Sequence, residues 1–225
     1  MGKLIAIDGV DASGKQTHTG MLYERLIAAG YDVKKISFPA YESDSSALVK
    51  MYLSGAFGEN PDDVNAYAAS SFFAADRFAS YRTEWMNEYK NPDKIIIADR
   101  YVSSNMIHQA SKIGNQEEKD KFLDWLYELE FYIYQIPKPD ITFFLDMPVE
   151  YAKKLMSERE NKFDSTAVKD IHERNSDYLL KSYNNACDIA KKFNWKTVSC
   201  VQNNEIRSIE NINDEMYQIL VENLL

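Results

Sequence analysis

Short apolar runs alternate along this chain with longer stretches whose apolar positions recur every three or four residues. "KLIAI" (3–7) reads as a first strand, and a helix opens in the glycine-rich turn after it and runs to about Ala29, with Gly30 as its stop. "DVKKIS" (32–37) is a second strand, closed off by Pro39. Helical patterns cover Ser45 to Leu53 and Pro61 to Tyr89, with Pro61 suited to a first helical turn. "KIIIA" (94–98) is continuous and β-branched, the pattern of a central strand buried on both faces. Helices are expected from Ser103 and from Glu117 to Tyr134, then a strand at "ITFFL" (141–145) and a helix from Pro148. The polar patch "SERENKFDSTAVKD" interrupts that helix; a long helix to Phe193, a strand "KTVSC" (196–200) and a last helix complete the chain. Five strands separated by helices predict a three-layer α/β fold on a parallel sheet, and ligands of such sheets gather beyond the strand C-termini.

Composition narrows the classes. A chain of 225 residues, 45% of them apolar, suits one large domain spanning 1–225 with a sizeable core. The net charge of −9 disfavours a nucleic-acid partner but not small phosphorylated ones, which a few placed cations can hold. No apolar run reaches the roughly 18 residues of a membrane span. "MGKLIAIDGV" meets Asp8 too soon for a signal peptide, and Ala6 occupies the Ser/Thr position of a myristoylation signal. Cys187 and Cys200 have neither metal spacing nor a disulfide framework, so both read as reduced, structural and cytoplasmic.

The chemistry begins at "GVDASGKQT" (9–17). Gly9-x4-Gly14-Lys15 between a strand and a helix is a phosphate-binding loop: inward backbone N–H groups and a helix N-terminus favour anions, and Lys15 can reach the β- and γ-phosphates. Gly9, Val10, Asp11, Ala12, Ser13, Gly14, Lys15, Gln16 and Thr17 are the candidate phosphate contacts. Gln16 stands where a hydroxyl normally meets Mg²⁺; its neutral amide oxygen is a candidate ligand but not an equivalent, and Thr17 sits about 100° further round the helix. Such an ion is then held mainly by phosphates, waters and a carboxylate. "ADRY" (98–101) ends the third strand, placing Asp99 as the candidate metal carboxylate and Arg100 as a bidentate phosphate contact or a surface ion pair.

Taken together, "GVDASGK", "FPAY", "FFAADR", "DRYVSSN", "PKPDITFFLD" and "DIHERNSDYL", in this order over nearly the whole chain, resemble the thymidylate kinase family. The resemblance implies a P-loop kinase fold with strand order 2-3-1-4-5, ATP and dTMP as substrates giving ADP and dTDP, Mg²⁺ dependence, a homodimer and a catalytic set of Lys15, Asp99, Arg100 and Arg159. It implies that Asp11 faces the acceptor sugar and phosphate, that Phe38 and Tyr41 line the acceptor, and that Arg100 holds its phosphate. Phe73 would stack on thymine and Arg77 would hydrogen-bond a base carbonyl; at i and i+4 of one helix they face the same way. Ser104 and Asn105 would contact the base or lie beside it, with Gln109 on the same helix. "SERENKF" resembles the lid over ATP, at about 156–168, with Arg159 and Lys162 as its cations. His172 and Glu173 read as anchors of the next helix, and Asp146 as a structural cap.

The chain departs from the family at Gln16, at Ala40, where many relatives carry Arg, and at His108, where many carry an aromatic that senses the 2′ position. Two other readings stay open: a different nucleoside monophosphate kinase, and a nucleotide-binding regulatory protein that has lost transfer.

Overall fold

The computed structural model describes residues 1–162, 171 and 176–225; the side chains at 158–162 and 176 are also outside the described set. The helices are α1 (Lys15–Ala28), α2 (Ala47–Leu53), α3 (Ala66–Ser80), α4 (Met86–Tyr89), α5 (Val102–His108), α6 (Gln116–Tyr127), α7 (Val149–Lys162), α8 (Ser176–Lys192) and α9 (Ile209–Asn223). The strands are β1 (Lys3–Gly9), β2 (Asp32–Ser37), β3 (Lys94–Asp99), β4 (Ile141–Asp146) and β5 (Lys196–Ser199), with a hairpin β6 (Val201–Gln202) and β7 (Glu205–Ile206).

Among the described residues β1 to β5 form one sheet in the order β2-β3-β1-β4-β5, every pairing parallel, as the resemblance implied. Side chains alternate across a strand, so each strand feeds two cores. Leu4, Ala6, Ile36, Ile96 and Ala98 pack with Trp85, Tyr101, Phe122 and Leu126 on one face. Ile5, Ile7, Ile95, Ile97, Phe143 and Leu145 pack with Leu22, Leu26, Met216 and Leu220 on the other. Burial on both faces accounts for the unbroken "IIIA" run. The register sets Ile7 beside Asp99, Ser37 beside Asp99, and Gly9 beside Leu145, so the C-terminal ends of four strands share one rim.

The stop at Gly30 is a Schellman turn: Tyr31 N donates to Leu26 O, Gly30 N to Ile27 O, and Gly30 adopts φ 90°. Elsewhere long helical patterns break. Pro61–Asp63 is a short 3-10 turn, Val64 is extended, and Asn65 caps a new helix by accepting from Ala68 N. The expected helix from Pro61 to Tyr89 therefore starts as a helix at Ala66 and passes through a π-helical turn at Tyr81–Trp85. The pattern from Glu117 to Tyr134 ends likewise in a π-helical turn at Glu128–Ile133. Cys200 lies between strands: β5 stops at Ser199 and the hairpin follows, turning at Asn203 and Asn204 with φ 54° and 62°. Two successive Asn residues at positive φ suit a tight hairpin turn.

Candidate active site

The loop from Gly9 to Lys15 is shaped by close packing. A Cβ at Gly9 would lie 2.7 Å from Ser13 Oγ and 2.8 Å from the Leu145 carbonyl. Ala12 and Gly14 take φ 60° and 83°, turning the chain into the N-terminus of α1. Lys15 is buried, with Nζ 2.7 Å from Val10 O and 3.0 Å from Gly9 O. Burial, reinforced by the nearby Arg100 charge, brings its pKa down to about 8 although Asp11, Asp8 and Asp99 pull the other way. Ser13 Oγ is buried with no hydrogen-bond partner among the described residues.

Arg100 leaves β3 at φ 66°, a left-handed conformation that costs a non-glycine residue energy and recurs at functional sites. The turn aims its guanidinium at the loop: Nη2 lies 2.6 Å from Asp11 Oδ1, and Nη1 lies 3.4 Å from His108 Nε2. Burial alone would raise the Asp11 pKa, but Arg100, His108 and Lys15 outweigh it and hold the carboxyl well below its usual range. Asp99 moves upward because it is buried and near Asp8, against the pull of Arg100 and Lys15.

Two cavities meet at this pair. One is lined by Ala12, Gly14, Lys15, Gln16, Thr17 and Asp99 together with Asp11 and Arg100. The other is lined by Phe38, Pro39, Tyr41, Leu53, Phe73 and Arg77, by Tyr101, Ser104, His108 and Gln109, and again by Asp11 and Arg100. The first is lined mostly by polar atoms, with Lys15 and Arg100 as its cations, and suits a polyphosphate; the second has an aromatic floor with polar corners, suited to a nucleoside. Phe73 meets Tyr52 edge to face, at 6.1 Å between ring centres. Gln109 is buried, and its Oε1 has no hydrogen-bond partner among the described residues.

Other predicted contacts fall elsewhere. Ser104 lines the second cavity, but its hydroxyl donates to Asp8, at 2.8 and 3.0 Å from the two carboxylate oxygens. Asn105 is buried and does not line the second cavity; its Nδ2 lies 3.2 Å from Ser70 O, tying α5 to α3. Gly9, Val10 and Ser13 shape the loop without lining either cavity. Arg159 and Lys162 belong to α7, but their side chains lie outside the described residues, as do His172 and Glu173. Asp146 accepts from Tyr183 Oη at 2.9 Å, and its carbonyl accepts from Cys200 N. Cys187 and Cys200 are not joined in a disulfide.

Three buried acids escaped the sequence reading. Asp8 accepts from Gly9 N, Ser103 and Ser104, and so binds α5 to the phosphate loop. Asp76 accepts from Ala40 N at 2.8 Å and Ser45 Oγ at 2.6 Å, which fixes the segment carrying Phe38 and Tyr41. Glu130 pairs with Arg77, both side chains essentially inaccessible. Asp8 had a signal, a charged residue inside an otherwise apolar strand; Glu130 had none.

A family model described as "Thymidylate kinase" matches residues 7–212. This chain belongs to the thymidylate kinase family. It is 31% identical over 175 residues to the thymidylate kinase of Mycobacterium tuberculosis (strain CDC 1551 / Oshkosh), covering 77% of this chain and 79% of that protein. To the human thymidylate kinase it is 25% identical over 215 residues, covering 96% and 88%. Its fold matches that of the Candida albicans thymidylate kinase, whose structure was reported to reveal the origin of broad substrate specificity, with a TM-score of 0.70, 22% identity and coverage of 99% and 92%. The family carries the phosphotransferase activity of a nucleoside monophosphate kinase. No described helix is long and apolar enough to cross a membrane.

Proposed function

We propose that this protein transfers the γ-phosphoryl group of ATP to dTMP, giving ADP and dTDP, with the two cavities as donor and acceptor sites. The observation that carries this reading is their shared wall: among the described residues, a polyphosphate cradle and an aromatic nucleoside site share just Asp11 and Arg100. A phosphoryl group passing between them crosses at that wall. Phosphoryl transfer asks mainly for alignment and charge stabilisation, so no protein base is required.

In the donor site the loop amides and Lys15 hold the ATP phosphates. In the acceptor site Phe73 stacks on the pyrimidine, Arg77 donates to its carbonyl, and Phe38 and Tyr41 close the wall beside the sugar and phosphate. Arg100 binds the acceptor phosphate, which must share the guanidinium with Asp11 or displace that carboxylate. Because no arginine replaces Ala40, Arg100 carries more of this anion than in relatives that have one there.

Mg²⁺ fits the donor site: Asp99 and the Gln16 and Thr17 side chains line it with hard oxygen donors. Among the described residues no cluster of three or more His, Cys, Asp or Glu is placed to hold a metal. Asp99 and Gln16 are the residues that would hold it, and the ion would neutralise phosphate charge. The lid cations, a homodimer and a cytoplasmic setting belong to the same proposal.

The test is ADP release with ATP and a panel of dTMP, dUMP, dCMP, UMP and AMP. Turnover is expected with dTMP and dUMP, and little with dCMP, whose amine cannot accept from Arg77. Equal use of dCMP, or no dTMP-dependent ADP, would reject the assignment.

A further inference from the structure

Glu130 is not among the residues that line the acceptor cavity, whereas Arg77 is. It takes one whole edge of the guanidinium: Nε lies 2.9 Å from Oε2 and 3.2 Å from Oε1, and Nη2 also donates to Oε1. The Tyr101 carbonyl accepts from Nη1 at 3.4 Å. A guanidinium carries five N–H donors in a rigid plane. With one edge locked, the remaining Nη hydrogens can point in only one direction, and Arg77 is itself part of the cavity wall.

Stability does not explain the pair. The two side chains are 1% and 0% exposed, and a buried ion pair generally adds no more stability than apolar residues of the same size. The local backbone is also unusual. Glu130 sits in the π-helical turn Glu128–Ile133, a distortion that recurs at functional sites. The wider turn directs Glu130 inward while its neighbours Tyr132 and Ile133 stay more than 60% exposed.

We propose that Glu130 is a positioning residue for acceptor-base selection: it holds the Arg77 guanidinium in the one orientation that offers donors to a base carbonyl. This rests on the reading of the cavity as a thymine site. Without the clamp the guanidinium could rotate until its Nη donors meet the cytosine N3 lone pair, and discrimination would fade.

The experiment compares wild type with Glu130→Gln, measuring kcat and KM for dTMP and dCMP and KM for ATP. The variant is expected to raise KM for dTMP and to lower the dTMP-to-dCMP ratio of kcat/KM about tenfold or more, the scale of one buried mispaired polar contact. KM for ATP should not move. Glu130→Asp, which keeps the charge on a shorter arm, should give an intermediate ratio. An unchanged ratio in Glu130→Gln, with only thermal stability lost, overturns the proposal. If Glu130→Gln does not fold, an unchanged ratio in Glu130→Asp overturns it equally. A wild type that fails to prefer dTMP over dCMP removes the Arg77 reading itself. A preference kept intact by the folded variant removes only the role of Glu130.

Discussion

Truncating Asp76 to alanine should loosen the acceptor wall without touching the donor site. The carboxylate accepts two hydrogen bonds, from Ala40 N and Ser45 Oγ. At roughly 1.5–3 kcal/mol for a bond to a charged group, the gross loss is about 3–6 kcal/mol. Several effects offset it. Ser45 Oγ keeps a 2.8 Å contact with Ser43 Oγ, and the half-buried Ala40 amide can turn to water. Asp76 is 1% exposed and takes part in none of the ion pairs among the described residues, so its removal also relieves a desolvated charge. Alanine is also the better helix former, by up to about 0.7 kcal/mol. The net destabilisation is then about 2 kcal/mol, or roughly 4–8 °C in Tm for a chain of this size. Because the freed segment carries Phe38 and Tyr41, KM for dTMP should rise several-fold while KM for ATP stays within about twofold, the scale of a few tenths of a kcal/mol. Thermal melts and a coupled ADP assay measure both. A fall in Tm with an unchanged dTMP KM would refute the link between Asp76 and the acceptor wall.

Other consequences are equally direct. Lys15 in the free protein has its pKa lowered to about 8, and bound phosphates would raise it; ATP affinity should be full below pH 8 and decline as pH rises past it. Nucleotide titrations at increasing pH check this, and a flat profile refutes it. Gly9→Ala would place a methyl 2.7 Å from Ser13 Oγ and 2.8 Å from Leu145 O; this overpacking should cost about 1–3 kcal/mol and weaken ATP binding more than dTMP binding, measured by calorimetry. Arg159→Ala should cut kcat by about 10³-fold or more if that cation meets the transferring phosphoryl group, with dTMP affinity unchanged; a near-normal kcat would exclude it.

What could be read from the sequence follows from periodicity. The three central strands β1, β3 and β4 were legible because burial on both faces leaves continuous apolar runs, whereas the edge strands β2 and β5, each with only one or two buried residues, stood out by their place between helical patterns. Gly9, Gly14 and Lys15 were legible because their spacing is set by a phosphate cradle. The breaks at Val64 and in the two π-helical turns were not, because apolar periodicity continues across them; the caps at the first break, the Asn60–Asp63 box and Asn65 accepting from Ala68 N, are local but fall inside that continuing pattern. Arg77 and Phe73 were placed on one face by simple i, i+4 geometry, and both line the cavity. Asn105, one residue after Ser104, turns inward to Ser70 instead, since a single helical step of about 100° moves a side chain from cavity to core. Glu130 is 53 positions from Arg77, and no local pattern marks so distant a pairing.

A crystal structure of the protein with dTMP tests the proposed chemistry most directly. The pyrimidine should lie against Phe73, with its O4 at the Arg77 guanidinium and the 5′-phosphate on Arg100 at the wall shared with the donor cavity. A nucleotide bound elsewhere, or one in this cavity with its base away from both Phe73 and Arg77, would contradict it.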